Sequence, residues 1–141
     1  MSKGLNIRVL DMLSALAETL VVELDADACA ISRIIGDVLI LVAEHVPGGG
    51  TLQLGQGYLV SEFPQTANVL ANGVPRALTI DDPQVDDGEA GVLRELGYRT
   101  LLMLRLDLNG ATWGLVEVYR LDTRPFDADD VSRASELTRL A

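Results

Sequence analysis

Two tight-turn signals constrain the fold of this chain more than any other feature of its sequence. Asn109-Gly110 separates two long apolar runs, and Asn-Gly favours a β-hairpin because both residues tolerate the positive φ of a type I′ turn. Gly36-Asp37 stands between two further apolar runs, and its glycine permits the same kind of turn. The four runs span residues 28–35, 38–44, 99–108 and 112–120. The pattern therefore predicts two antiparallel hairpins.

The segment 5–24, ahead of the first hairpin, has helical periodicity on two sides. One apolar stripe contains Leu10, Leu13, Ala17, Leu20 and Leu24, and a second stripe beside it contains Val9, Met12 and Leu16. A helix that is apolar over so much of its surface must bury more than one side. We predict that one side packs on the sheet and the other contacts a second copy of the chain, while a thick core helix is the alternative. The residues assigned to this dimer interface are Val9, Met12, Leu13, Leu16 and Leu20.

Further helices and short strands complete the predicted order. Helices are predicted over residues 63–72, 88–96 and 127–141, and short strands over residues 51–54 and 76–80. Asp87 is the predicted N-cap of the middle helix, and Asp127 is the predicted cap of the last one, with Asp130 three residues on. The order helix, hairpin, helix, strand, helix, hairpin, helix is typical of an α+β domain with a mainly antiparallel sheet. We expect residues 1–141 to form one domain, since the sequence has no internal repeat and no wide linker.

The composition limits what the chain can bind. Eleven Lys and Arg residues against 21 Asp and Glu residues give a net charge of −10. A surface this acidic repels phosphate backbones and anionic lipid, so we expect neither nucleic acid nor a membrane as a partner. One cysteine and one histidine leave little material for a metal site or a catalytic triad, so we expect no metal centre and no enzyme. No long apolar run follows Met1, which favours a soluble cytoplasmic protein.

The second half of the chain carries a set of motifs in a distinctive order. They are Leu96-Gly97-Tyr98-Arg99-Thr100, the Asn109-Gly110 turn, Trp113-Gly114-Leu115-Val116-Glu117-Val118-Tyr119, and Arg124-Pro125-Phe126 followed by Asp129 and Asp130. Together with the first hairpin and the segment 78–82, this order resembles the GAF domain family over most of residues 20–141. The order and spacing of the motifs carry the resemblance, since no single motif is specific.

The resemblance implies a GAF- and PAS-like fold with a central antiparallel sheet of five or six strands. It implies that the helices within residues 1–24 and 127–141 cover one face, and that helices and loops between Gly48 and Leu96 enclose a ligand pocket on the other. Its functional implication is a non-catalytic sensory or regulatory domain in signal transduction. Such a domain binds a small neutral or cationic ligand, or none, and signals through a helix-mediated homodimer, with the last helix leading to an output domain. A degenerate GAF fold that acts only as a dimerisation or protein-interaction module is the alternative.

The residues best placed to line such a pocket combine aromatic and aliphatic walls with hydroxyl, amide and carboxylate groups, as small-molecule sites do. They are Ser61, Phe63, Gln65, Thr66, Thr100, Leu102, Trp113 and Glu117. Strand alternation predicts that Trp113 and Glu117 share a face. Glu117 interrupts an apolar strand, so its carboxylate needs a partner or a raised pKa. We predict an ion pair with Arg99 or Arg105, while a ligand contact and a solvated carboxylate are the alternatives.

The sequence carries few marks of the ligand classes known for the family. Residues 79–91 contain no lysine and many carboxylates, which argues against a cyclic nucleotide. Family members that bind bilins attach the pigment to a cysteine near the pocket, whereas Cys29 begins a strand and is interpreted as buried. His45 as a haem ligand and residues 81–89 as a Ca²⁺ loop stay open, but a strand-end residue and helix capping are the favoured interpretations. Methionine-sulfoxide reductases that resemble this family need a second cysteine, so with Cys29 alone that activity is not expected. The sequence does not identify a cofactor.

Overall fold

Within residues 7–52 and 54–140, which the computed structural model describes, the chain forms four helices and seven strands. The helices are α1 (Ile7–Glu23), α2 (Pro64–Asn72), α3 (Asp87–Leu96) and α4 (Ala128–Leu137). The strands are β1 (Ala28–Ile35), β2 (Val38–His45), β3 (Gly57–Leu59), β4 (Arg76–Thr79), β5 (Thr100–Leu108), β6 (Ala111–Arg120) and β7 (Arg139–Leu140). The predicted α+β class is confirmed, although the first two residues of the predicted helix 5–24 lie outside the described residues.

Six of the described strands form one antiparallel sheet in the order β3-β2-β1-β6-β5-β4. Both predicted hairpins are present, since β1 pairs with β2 and β5 pairs with β6. Asn109 and Gly110 have φ values of 54° and 78°, as a type I′ turn requires. The antiparallel pairing of β1 with β6 joins the hairpins at the sheet centre, which confirms the predicted sheet.

The junction between the hairpins depends on Gly114. An added Cβ at this position would overlap the carbonyl oxygen of Ser32 in β1, so only glycine allows the two strands to pair here. The pairing sets Ser32 opposite Leu115 and fixes which side chains of β1 and β6 share a face.

The two faces of the sheet bury different sets of residues. The helix face is the face covered by α1 and α4, and its core includes Leu13, Ala17, Leu20, Ile31, Val116 and Ala134. The cavity face is the opposite one, covered by α2, α3 and the loop after β2, and its core includes Leu41, Leu52, Val69, Leu93, Leu101 and Leu115. The prediction that the terminal helices share one face is therefore confirmed.

Helix α1 uses its predicted dimer residues to pack on its own sheet. Leu13, Leu16 and Leu20 are buried inside the chain, so their assignment to a dimer interface is wrong. Val9 is half-buried against the same cluster, whereas Met12 is 39% exposed. Val9 and Leu16 of the second apolar stripe thus contribute to the core, because the sheet and α4 together cover more than one side of α1, whereas Met12 stays on its outer side.

Two local predictions in the middle of the chain are wrong. Residues 51, 52 and 54 lie in a loop rather than a strand, and residue 53 lies outside the described residues. The edge strand is β3, which is too short to show an alternating pattern and pairs with the start of β2. The N-cap of α3 is Asp86 rather than Asp87, since the Asp86 carboxylate accepts a hydrogen bond from the Glu89 N–H at 2.7 Å.

The C-terminal segment differs from the predicted helix 127–141. Helix α4 begins as predicted with a capping box, in which the side chains of Asp127 and Asp130 accept hydrogen bonds from each other's backbone N–H groups. It ends at Leu137, and β7 then pairs in parallel with the end of β5. β4 pairs only with the first four residues of β5, which leaves an open edge for β7 to occupy. Residue 141 lies outside the described residues.

Arg120, the last residue of β6, ties the sheet to both covering helices. Its guanidinium donates to the carbonyl oxygens of Leu24 at 2.5 Å and Asp25 at 3.2 Å, just after the end of α1. It also donates to the carbonyl of Pro125 at 3.0 Å and lies 3.4 Å from the Asp130 carboxylate in the first turn of α4. One buried side chain therefore connects β6 with the C-terminus of α1 and the N-terminus of α4.

Candidate functional site

A small cavity lies between the cavity face of the sheet and helices α2 and α3. Its floor has room because Ala30 and Ser32 of β1 are small and stand opposite Glu117 and Leu115 of β6. The apolar walls come from Leu39, Leu41, Leu52, Val92 and Leu96. The cavity has a volume of about 40 Å³. This is room for about three waters.

Glu117 is the central polar group of the cavity. Its side chain lines the cavity and is half-buried, because part of its surface faces the open space of the cavity. Burial, followed by the charge of Glu89, raises the pKa of Glu117 to about 8, and a hydrogen bond with Tyr119 opposes the shift. The carboxylate is therefore easily protonated near neutral pH.

The predicted ion pair of Glu117 is wrong. Arg105 is paired with Asp107 at 2.9 Å, and Arg99 is exposed. The cross-strand neighbours of Glu117 are Ala30 and Met103, neither of which carries charge. Within residues 7–52 and 54–140, no basic side chain forms an ion pair with Glu117.

Helix α3 contributes a second carboxylate, Glu89, which is only 3% exposed. One of its oxygens accepts a hydrogen bond from the Thr66 hydroxyl. Burial raises the pKa of Glu89, the hydrogen bond from Thr66 lowers it, and the charge of Asp86 raises it further. The Thr66 hydroxyl also lies 3.4 Å from the Met103 sulfur, so it can turn to that atom when Glu89 is protonated and donates to Thr66.

Three aromatic rings complete the lining. The rings of Tyr58 and Phe63 meet edge to face, with centroids 6.1 Å apart and planes at 80°. Tyr119 lines the cavity from β6 and stacks on Tyr98 at 5.0 Å. Burial, followed by the charge of Glu117, raises the pKa of both Tyr58 and Tyr119, so both phenols are neutral at physiological pH.

Asp86 positions the two helices around the cavity. Its carboxylate accepts hydrogen bonds from the backbone N–H of Glu89 at 2.7 Å and of Gln65 at 3.1 Å, which are at the N-termini of α3 and α2. The side chain of Gln65 in turn accepts from the Asp86 N–H at 2.9 Å and donates to the Gln84 carbonyl at 2.8 Å. Gln65 therefore holds α2 against the α3 N-terminus and is not part of the cavity lining.

Three of the predicted pocket residues line the cavity, namely Phe63, Thr66 and Glu117. Their contact with a ligand stays a prediction. Ser61 lies outside the lining, where it is exposed and donates to the Asp37 carboxylate at 3.0 Å.

The other three predicted pocket residues are on the wrong side of the sheet. Leu102 and Trp113 pack in the helix-face core, and Thr100 alternates with Leu102 on the same side of β5. A β-bulge leaves Trp113 without a partner in β5, because Leu106 pairs with Gly114 and Asp107 pairs with Thr112. This extra residue reverses the alternation of β6, so Trp113 lies on the helix face.

Sequence reasoning missed Glu89 and Tyr58. Glu89 lies on the same helical stripe as Leu93 and Leu96, and a carboxylate within an apolar stripe is a signal for a buried acid. Tyr58 has no comparable signal, because the three residues of β3 are too few to define a face.

Other reactive groups lie away from the cavity. Cys29 is fully buried on the helix face, where burial and then the charge of Glu117 raise the pKa of its thiol. His45, at the end of β2, is not among the lining residues. In the described part of the chain, no cluster of three or more His, Cys, Asp or Glu side chains is arranged to hold a metal ion. The described helices are also each too short or too polar to span a membrane.

The same fold occurs in solved structures of light-sensing and signalling proteins. The blue-light absorbing form of the PixJ GAF domain from Thermosynechococcus elongatus has a TM-score of 0.79 at 20% identity, over 92% of this chain and 79% of that one. A mutant chromophore-binding domain of the Stigmatella aurantiaca bacteriophytochrome has a TM-score of 0.78 at 17% identity, over 95% of this chain and 53% of that one. This chain thus spans about half the length of the phytochrome fragment. The GAF domain of a two-component sensor histidine kinase from Bacillus halodurans has a TM-score of 0.70 at 16% identity, over 91% and 86% of the two chains.

Sequence comparison identifies a family for this chain but no individual curated relative. No curated protein matches the chain significantly. The identities to the solved structures are all low, so those structures show the fold alone. The sequence model of the GAF domain, however, matches residues 8–141, which is nearly the whole chain, and this protein therefore belongs to the GAF domain family.

Proposed function

We propose that this GAF domain is a non-catalytic sensory or regulatory module that binds a small molecule in the cavity lined by β1, β6, α2 and α3. The observation that carries the proposal is the convergence of two carboxylates, three aromatic rings and aliphatic walls on one small space. A sensory role is supported by the shared fold, since the PixJ and phytochrome domains are parts of photoreceptors. The net charge of −10 is the reason for proposing that the domain binds neither nucleic acid nor membranes, and a cytoplasmic location is part of the same proposal.

The proposed ligand is much smaller than a bilin. Pockets for drug-sized ligands have volumes of about 300–1,000 Å³. The space of about 40 Å³ suits a group the size of a few water molecules. The only cysteine of the chain is buried on the helix face, which also argues against a thioether-bound pigment and against thiol catalysis in the cavity.

The proposed signal leaves the cavity along β6. Glu117 and Tyr119 line the cavity, and Arg120 follows them directly and binds the ends of both α1 and α4. A ligand that favours one position of this strand end will shift the population of helix arrangements by its difference in affinity for them.

The proposed readout is a homodimer formed through the exposed side of α1. Met12, Ala15 and Val22 lie on this side, and Val22 is 68% exposed. Their spacing of three and seven residues places them on one stripe of the helix. The exposed side of α4 supports this choice, because its residues Asp129, Ser132, Arg133 and Glu136 are polar.

A pair of charged substitutions tests the dimer. We expect Met12→Glu with Val22→Glu to lower the mass in sedimentation from dimer to monomer, while Ser132→Glu on α4 leaves it unchanged. The variants are expected to fold because both side chains are on the surface. A wild-type protein that sediments as a monomer contradicts this readout.

A ligand screen separates the main proposal from its alternative. The alternative is a GAF fold that serves only as a dimerisation or protein-interaction module, and the small size of the cavity favours it. Native mass spectrometry of the purified protein, followed by a thermal-shift screen of small amines, alcohols and acids, should show one class that raises the unfolding temperature. No bound mass and no shift would favour the alternative, and turnover of methionine sulfoxide with a thiol donor would contradict the non-catalytic role.

A further inference from the structure

We propose that the cavity is selective for a small organic cation, namely an ammonium group carried on a short apolar chain. This inference rests on the proposed function, since it names the chemical class of ligand for the same cavity. It is carried by the charges, the aromatic rings and the size of the cavity taken together.

The charges of the cavity are unbalanced. Glu117 and Glu89 both line it, and the four ion pairs of the described residues involve neither of them. Glu89 is only 3% exposed, and the hydrogen bond that it accepts comes from the neutral hydroxyl of Thr66. The hydrogen-bond partners of Glu89 and Glu117 are the neutral hydroxyls of Thr66 and Tyr119, so a cation in the cavity supplies the opposite charge that the chain itself does not.

The aromatic lining favours the same class of ligand. Tyr58 and Phe63 line the cavity with rings at 80° to each other, and Tyr119 contributes a third, buried ring. The negatively polarised faces of such rings attract an ammonium group, including one that carries alkyl substituents. The aliphatic walls of Leu39 and Leu41 suit a short carbon chain.

The opposite charge is disfavoured at the same place. A carboxylate or phosphate ligand would approach Glu117 and Glu89 without meeting a basic side chain among the residues that line the cavity. A neutral ligand meets no repulsion, but it leaves both carboxylates unpaired or protonated. The small volume of the cavity, about 40 Å³, favours a small cation over a large one.

Binding of a cation should be coupled to proton release. The pKa of Glu117 lies near 8, so the carboxylate is mostly protonated at pH 6 and must ionise to pair with the ligand. The titratable groups around it are Glu89 on α3, Tyr58 on β3, Tyr119 on β6 and the Cys29 thiol on β1. Tyr58, Tyr119 and Cys29 keep their protons between pH 6 and pH 8, because the pKa of each is raised. The pKa of Glu89 is also raised, so its ionisation adds to the release of protons on binding.

The test compares three probes of nearly equal size and different charge, namely n-butylammonium, 1-butanol and butyrate. NMR titration of the isotope-labelled protein should show saturable shifts of the Thr66, Glu89 and Glu117 amides with butylammonium. We expect its dissociation constant to be at least tenfold lower than that of 1-butanol, with no binding of butyrate. Between pH 6 and pH 8 the affinity for butylammonium should rise as Glu117 ionises, by nearly tenfold per pH unit well below pH 8 and by less as the pH approaches the pKa of Glu117, while the amine stays charged throughout.

Two matched variants locate the binding. Glu117→Gln should weaken butylammonium binding at least tenfold at pH 8, and Glu89→Gln should weaken it in the same direction. Glu136→Gln removes a carboxylate from the exposed surface of α4 and should leave binding unchanged. Far-UV circular dichroism and the NMR spectrum of each variant confirm that it is folded.

Three results would overturn the inference. Equal affinity for 1-butanol and butylammonium would show that the cavity does not select charge, while the proposed ligand-binding function would survive. Shifts spread over the acidic surface and unaffected by Glu117→Gln would show that butylammonium binds the surface rather than the cavity. Absence of binding by all three probes and by every compound of the broader screen would overturn the proposed ligand-binding function as well.

Discussion

The two faces of the sheet are built from the same strands yet serve different purposes. On the helix face β1 and β6 present Ile31, Val116 and Val118, which pack with α1 and α4. On the cavity face the same strands present Ala30 and Glu117, a small residue and an acid. The period of two in a strand lets one segment build a tight core on one side and place an acid in a cavity on the other. Stability should therefore be concentrated on the helix face and ligand chemistry on the cavity face.

The largest expected effect compares one leucine from each face. Leu20→Ala should lower the free energy of unfolding by about 4 kcal/mol, because Leu20 is fully buried between α1 and the sheet and its loss leaves a void. Leu41→Ala should cost only about 2 kcal/mol, because Leu41 already borders a cavity and loses fewer contacts.

Urea denaturation of both leucine variants against the wild type measures this difference. A matched m-value in the three proteins is the control for two-state unfolding. Equal losses of stability would mean that the cavity wall is packed as tightly as the helix-face core, and would contradict the division of labour between the faces.

Arg120 ties β6 to both helices of the helix face, and its removal should have the next largest effect. Arg120→Met should lower the free energy of unfolding by about 3 kcal/mol, because it leaves the Leu24 and Pro125 carbonyls without this donor and the Asp130 carboxylate without this cation. Arg120→Lys keeps the charge but not the planar fork of donors, so it should recover only part of the loss.

Thermal and urea unfolding of the two Arg120 variants provide the measurement. In the methionine variant, amide hydrogen exchange should rise first at the end of α1 and in the first turn of α4. Recovery of full stability by the lysine variant would show that charge alone, and not the fork, joins the helices.

The pH dependence of the free energy of unfolding tests the acid Glu117 of the cavity face. The pKa of Glu117 is about 8 in the folded protein. In the unfolded chain it is about 4.3. The folded state therefore holds a proton that the unfolded state releases, and the stabilisation it gives is complete below about pH 4.5 and is lost as pH rises towards 8. For one group the slope is at most about 1.4 kcal/mol per pH unit.

Glu117→Gln should remove this slope. Between pH 5.5 and pH 8 the difference in stability between the variant and the wild type should shift steadily in favour of the variant. Glu136→Gln, on the exposed side of α4, should give a curve parallel to the wild type. Parallel curves for Glu117→Gln would mean that the Glu117 carboxylate is solvated and does not hold its proton in the fold.

Sequence patterns predict the elements of this fold better than the faces of its strands. The hairpins follow from local turn chemistry at Gly36 and at Asn109-Gly110, where the backbone needs a positive φ. The face of the sheet on which Leu102 lies could not be predicted, because β5 has apolar residues at both odd and even positions and no alternation distinguishes its two sides. The predicted face of Trp113 is wrong for a different reason, because a bulge changes the register there and no sequence signal marks it.

The candidate site depends on contacts between segments far apart in the chain, and this limits prediction from sequence. Glu117 stands out within its own strand, but its electrostatic neighbour Glu89 comes from α3 and shares the cavity only through the packing of that helix on the sheet. Local patterns can identify an unusual residue, whereas the partner that makes it chemically useful is set by the tertiary structure.

The smallest expected effect lies on the outer side of the helix face. Arg133 on α4 and Glu23 on α1 approach to 2.5 Å, yet the two side chains are 59% and 39% exposed. Water solvates both charges well, so a double-mutant cycle of Arg133→Gln and Glu23→Gln should give a coupling energy of about 0.5 kcal/mol or less. Arg120 makes its 3.4 Å contact with Asp130 at 3% side-chain exposure and should matter far more, although its ion pair is the longer of the two. A coupling energy above about 1 kcal/mol for the surface pair would show that α1 and α4 are held together from outside as well as through the core, and would shift the proposed signalling contact from Arg120 to the helix surface.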